Sequence, residues 1–194
     1  MQPTADEQVQ FLRNIQRLLG EGLFVATYKY ALLLALADIC VEHGDDSGCP
    51  LVVPTTLIAE KFISYYWRQT LPYVARATTH PSSLVLRQNT GKPAAVVRLV
   101  ENARNCIEPS LLKCASRHER EWTRLVLRVD AVIRRMPLWK LQTVGRATLD
   151  FLYANRKHGT LIELRAGVAF CFRQFYGLIG DLVGGACAVR PGTQ

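Results

Sequence analysis

The sequence predicts a mainly α protein, a single multi-helix domain with a small β-hairpin near 149–165. Three observations predict it. Most of the chain repeats apolar residues at helical spacing. Gly and Pro fall at the ends of those runs, where helices stop and start. Only one short stretch alternates apolar and polar residues as a half-buried hairpin does.

Residues 6–19 carry Val9, Leu12, Ile15, Leu18 and Leu19 at helical spacing, and Gly20 closes the run. Thr27 suits the cap of a second helix that reaches His43, with Gly44 at its end. These two form an N-terminal helical region over 6–43. The run Tyr30–Ala37 is apolar or aromatic throughout. It is shorter than the ~20 residues a bilayer span needs, so it reads as a central core helix and not a membrane segment. Asp45-Asp46-Ser47-Gly48 is a loop, Leu51-Val52-Val53 is extended, and Pro54 favours a helix start. A third helix, 56–70, holds Phe62, Tyr65, Tyr66 and Trp67 before Pro72 ends it.

Residues 76–92 show no period and form a polar loop, long enough that function or disorder is the usual reason for it. Basic helices follow over 93–136, at 93–106, 109–115 and 117–135, and Pro137 closes the last. Leu149, Phe151 and Tyr153 alternate with polar neighbours, as do Leu161, Glu163 and Arg165, with Asn155, His158 and Gly159 between them. That is the expected hairpin. A final helix over 167–184 gives way to a frayed tail, 185–194.

The composition is that of a globular protein, with 49% apolar and 21% charged residues in 194. None of the six cysteines forms a Cys-x-x-Cys pair, so we expect them reduced and mostly buried, in a cytoplasmic setting. The polar, acidic start Met1-Gln2-Pro3-Thr4-Ala5-Asp6-Glu7 lacks the basic residues and apolar run of a signal peptide. The charge is unevenly spread. Residues 1–75 hold 5 Lys/Arg and 8 Asp/Glu, net −3; residues 76–194 hold 19 and 8, net +11. A surplus of that size attracts polyanions, nucleic acid first among them.

The helix over 117–135 places Arg117, Arg120, Arg124, Arg128 and Arg135 within a band about 80° wide, opposite Trp122, Leu125, Val129, Val132 and Met136. Forked guanidinium donors match phosphate oxygens. A solvated face with Glu121 as ion-pair partner is the competing reading. In the loop, Arg87, Gln88, Asn89 and Lys92 surround Gly91; Arg, Gln and Asn read base edges, and Gly admits a phosphate close to the backbone. An ordinary turn is the alternative. Tyr65, Tyr66 and Trp67 beside Arg68 and Gln69 would stack on bases if exposed, though consecutive aromatics on an amphipathic helix are more often core. In Met136–Gln142, alternation makes Trp139 and Leu141 a buried hydrophobic hook and turns Lys140 and Gln142 outward. Cys114 and His118 have ligand spacing, but no second such pair exists, and the acidic cluster Glu42, His43, Asp45, Asp46 lacks the pattern of a calcium loop. No nucleophile elbow or phosphate-binding glycine motif occurs. No catalytic or metal-ligating residue is therefore assigned.

Several segments resemble the N-terminal helical region of a bacterial HNH endonuclease family. They are Phe11-Leu12 to Leu19, Phe24–Leu33, Ile58–Phe62 with Tyr66-Trp67-Arg68-Gln69, Leu86-Arg87-Gln88-Asn89, Met136–Gln142, and Ile162–Arg165 leading into Gly167–Phe170. Together they cover about 9–183. The resemblance implies a helical domain ahead of a zinc-supported nuclease module that hydrolyses phosphodiesters with a divalent metal. That module's Cys-x-x-Cys and histidine hairpin are absent here, and the chain ends where the module would follow. The expected function is binding or positioning of DNA, with no cofactor in this chain and a divalent metal only if an HNH module follows. A helical protein-interaction module is the alternative.

Overall fold

The computed structural model describes residues 1–21, 28–69, 94–155 and 159–188. The expected mainly α class is what the structure shows, with two small antiparallel strand pairs. The chain divides into two compact units, Met1–Ile58 with Ile133–Gln194, and Ala59–Val132.

In the first unit, α1 (Ala5–Glu21) starts at a capping box that local pattern reading passed over. The Thr4 backbone N–H donates to Glu7 Oε2 at 2.7 Å, and the Glu7 N–H donates to Thr4 Oγ1 at 3.3 Å. These bonds hold the Glu7 carboxyl below its ordinary pKa. Phe11, Ile15 and Leu18 form the buried stripe. Phe11 meets Phe151 and Phe172 edge-on, with centroids 5.8 and 5.2 Å apart.

Helix α2 (Tyr28–His43) is the central element, buried on most of its circumference as its apolar run predicts. Short helices pack on it: α7 (Pro137–Lys140), α8 (Val168–Gln174) and α9 (Tyr176–Ala188). The single helix expected over 167–184 is thus two, parted at Phe175, and helix runs four residues into the segment expected to fray. Arg173 of α8 closes the end of α2, donating from Nη1 to the carbonyls of Val41 and Gly44, both at 3.0 Å, and from Nε to Asp46 at 2.8 Å. A cation there satisfies carbonyls that have no helical partner and complements the helix dipole.

Strand β1 (Leu51–Pro54) pairs antiparallel with β4 (Leu161–Leu164) in the register Leu51↔Leu164 and Val53↔Ile162. Val53, Ile162 and Leu164 face inward while Val52 and Glu163 face water. This corrects the expected hairpin over 149–165. Its second strand exists, but its partner lies some 110 residues earlier in the chain, and only a single bridge, Tyr153↔Leu164, joins the two alternating stretches. The tight hairpin is instead β2 (Thr143–Val144) with β3 (Ala147–Thr148), turned at Gly145 with φ +58°. Gly48, at φ +75°, lies against the Met1 carbonyl, where a Cβ would collide.

Among the described residues, the second unit draws its buried residues from four helices. The end of α3 (Thr55–Gln69) supplies Phe62, Ile63, Tyr66 and Trp67, and α4 (Ala95–Cys106) supplies Val96, Val100 and Ala103. Cys114 comes from α5 (Leu111–Arg117), and Leu125, Val126 and Val129 come from α6 (Glu119–Arg135). Tyr66 and Trp67 are core, and the Trp67 indole donates to the Pro109 carbonyl at 2.9 Å.

Candidate functional site

Helix α6 puts its arginines where the sequence placed them. Arg120, Arg124 and Arg128 are exposed; Arg117, expected in the same helix, instead ends α5, because the backbone of His118 (φ −120°, ψ 53°) breaks the helix there, and it too is exposed. Successive Cα atoms four residues apart on a helix are separated by about 6 Å, so Arg120 to Arg128 spans about 12 Å. Leu125, Val126, Val129 and Ile133 are buried, which anchors this orientation. Met136, expected on the apolar face, is 44% exposed, because α6 ends at Arg135 and the chain turns into α7. Among the described residues, no salt bridge ties Glu121 to any of these arginines.

Beside the arginines lies an open cleft of about 240 Å³ within the second unit. One wall comes from α6, with Glu121, Arg124, Leu125 and Arg128. The other comes from α4, with Leu99, Asn102, Ala103, Cys106 and Ile107. Asn102 and the Cys106 thiol are exposed. Sequence reading missed this α4 wall, although Leu99, Asn102, Ala103, Cys106 and Ile107 recur at the three- and four-residue steps of one helix face. Arg104 is buried, with Nε and Nη2 donating to Asn105 Oδ1, and is turned away from solvent. The described part of this region, 94–135, has nine Lys/Arg against five Asp/Glu.

The other expected site residues fare differently. Arg68 and Gln69 belong to the last turn of α3, and their side chains lie outside the described residues. Arg87, Gln88, Asn89 and Lys92 also lie outside them, as does the whole of the expected 76–92 loop. Lys140 is exposed on α7. Gln142 is a correction: it is fully buried. Its Oε1 accepts from the Leu152 N–H at 2.7 Å and its Nε2 donates to the Tyr153 carbonyl at 2.8 Å. The alternation that turned it outward assumed extended backbone; Pro137 instead opens a helical turn, which rotates Leu141 and Gln142 inward together. The same turn corrects Trp139, expected as a buried anchor and found 44% exposed.

Among the described residues, no group of three or more His, Cys, Asp or Glu side chains is placed to hold a metal ion. Cys114 is buried and its thiol pKa is raised, first by burial and then by Glu108 and Glu121. Cys40 and Cys171 are likewise buried, with thiols pushed up to about 12 and about 11, while Cys49 and Cys106 are exposed. All five are unpaired. Among the described residues, no helix is long and apolar enough to cross a membrane.

Residues 8–92 match a family described as a domain of unknown function (DUF8808). That segment takes in most of α1, all of α2, β1 and α3, and stops short of the α4–α6 cleft. No curated protein and no solved structure matches the chain.

Proposed function

We propose that this chain binds the phosphate backbone of DNA through the α6 arginines and the adjoining α4–α6 cleft. The observation that carries the reading is the α6 row Arg120, Arg124 and Arg128, with Arg117 at the end of α5, all exposed and without an internal carboxylate partner among the described residues. The net +11 of residues 76–194 supports it by adding a long-range field around the row. The apolar floor of the cleft, Leu99, Ala103 and Leu125, gives sugars and base edges a surface to rest on. The resemblance to the N-terminal region of HNH endonucleases supports a positioning role: the chain holds DNA for a nuclease module and does not itself cleave it. Its site is a compartment that keeps thiols reduced, the cytoplasm.

Electrophoretic mobility shift with the purified chain tests this. We expect duplex DNA to be bound with little sequence preference and with affinity that falls steeply as salt rises, because each neutralised phosphate releases counterions. The same samples with magnesium, manganese or zinc remain uncut. Absence of any complex at low salt and micromolar protein would falsify the binding reading. Absence of DNA binding together with a protein partner held with an affinity indifferent to salt would instead favour the protein-interaction alternative, in which apolar contacts dominate.

A further inference from the structure

Trp139, expected in the core, is an exposed aromatic of the first unit. Its exposure is not a loose end of the fold. The indole N–H donates to the Arg135 carbonyl at 3.0 Å, a helical i−4 contact that satisfies the ring's one polar atom and fixes its plane. The Lys140 ammonium lies 4.9 Å from the ring centroid, over one face. The ring thus needs no further polar partner and is held in one orientation.

The surroundings are cationic. Arg135 and Lys140 are exposed on either side of Trp139 in sequence. Lys29 of α2 donates from Nζ to the carbonyl of Thr143, at 2.8 Å, and Thr143 Oγ1 in turn lies 3.5 Å from the Trp139 carbonyl. Burial, and then the nearby Lys140 ammonium, hold the Lys29 pKa below its ordinary value. Of the two lysines, Lys140 lies over the exposed indole, and Lys29 is tied to the same segment through the Thr143 carbonyl. A phosphate is what the exposed Arg135 guanidinium and Lys140 ammonium accept, and a flat apolar group is what the ring accepts. The class of ligand that supplies both on one covalent frame is a nucleotide with its base unpaired.

We propose that Trp139 is a stacking platform for an unpaired base of single-stranded DNA, with Arg135, Lys140 and Lys29 drawing in the adjoining phosphate. The proposal rests on the DNA-binding reading above and adds a base-dependent component to it.

The test compares three probes at one ionic strength by fluorescence anisotropy on the full chain: oligo(dT), an abasic oligomer of the same length, and duplex DNA. Trp139→Ala should weaken oligo(dT) binding about tenfold or more, the usual worth of one base stacked on an aromatic ring. Its affinity for the abasic oligomer and for duplex should stay within about twofold of the parent. Trp139→Phe should keep most of the oligo(dT) affinity. Intrinsic tryptophan emission gives a second readout: oligo(dT) should quench the parent, and that quenching should vanish in Trp139→Phe, which decides the matter even if the alanine variant fails to fold. Unchanged oligo(dT) affinity and quenching in both variants overturns the stacking site while leaving phosphate binding intact. A parallel loss on all three probes does the same, since it reports a charge or folding effect. Failure of the parent to bind any probe at low salt overturns both readings together.

Discussion

Gln142→Ala is expected to lower unfolding stability by about 2–4 kcal/mol. The reason is what the amide leaves behind. Its Oε1 and Nε2 satisfy the Leu152 N–H and the Tyr153 carbonyl, at 2.7 and 2.8 Å, in a place no water reaches. Alanine strands both backbone groups at once, and each buried orphan costs about 1–3 kcal/mol. The same segment carries Tyr153, fully buried, whose hydroxyl donates to the Leu138 carbonyl and whose pKa burial pushes well above the ordinary tyrosine value. Segment 138–142 and segment 152–153 are therefore bound to each other from both sides. For a chain of this size the loss should appear as a fall in melting temperature of roughly 5–15 °C. Gln142→Glu should also destabilise, because it keeps the acceptor, loses the donor and places a charge in the core. Denaturant titration measures both. A loss under about 1 kcal/mol for the alanine variant would mean that the segment repacks and that Gln142 is no anchor.

Much of the helical architecture was legible because its signals are local. The unbroken apolar run of Tyr30–Ala37 demanded burial on all sides, and α2 is buried on most of them. The arginine spacing on α6 required one charged stripe, and Arg120, Arg124 and Arg128 are exposed together. The strand pairing failed for the opposite reason. Leu51-Val52-Val53 and Leu161–Leu164 each look extended, but nothing in either stretch names the other across the intervening residues, so the nearer stretch at 149–153 was taken as partner. Trp139 and Gln142 were lost to a single misreading of period. Alternation is right for a strand, yet Pro137 at the first helical position favours a turn of helix, and one turn exchanges which of the two side chains sees water. The Thr4–Glu7 capping box was present in plain sequence as Thr-x-x-Glu and went unused. The α4 wall of the cleft was also present as a helical stripe, but only folding sets that stripe beside Arg124 and Arg128.

Reversing Arg120, Arg124 and Arg128 together to Glu should remove most DNA binding at moderate salt. Each of these guanidinium groups that neutralises a phosphate contributes close to one unit to the slope of log affinity against log salt, so losing three should flatten it by roughly two to three units. Reversal goes beyond deletion, because three carboxylates along about 12 Å of helix repel the same phosphates. Stability should change little, since all three side chains are exposed and the buried stripe of Leu125, Val126, Val129 and Ile133 is untouched. Circular dichroism and a melting curve verify that point before binding is measured. The matched Lys triple variant separates charge from geometry. It retains the point charges and should keep most of the salt slope, but it loses the forked donors that fit phosphate oxygens and should bind more weakly than the parent. If the Glu variant keeps both the parent affinity and the parent slope, the arginine row is a solvated face that contacts no phosphate. Binding would then have to be sought elsewhere on the basic part of the chain, among side chains such as Arg98, Lys113 and Arg146 that lie exposed outside the row.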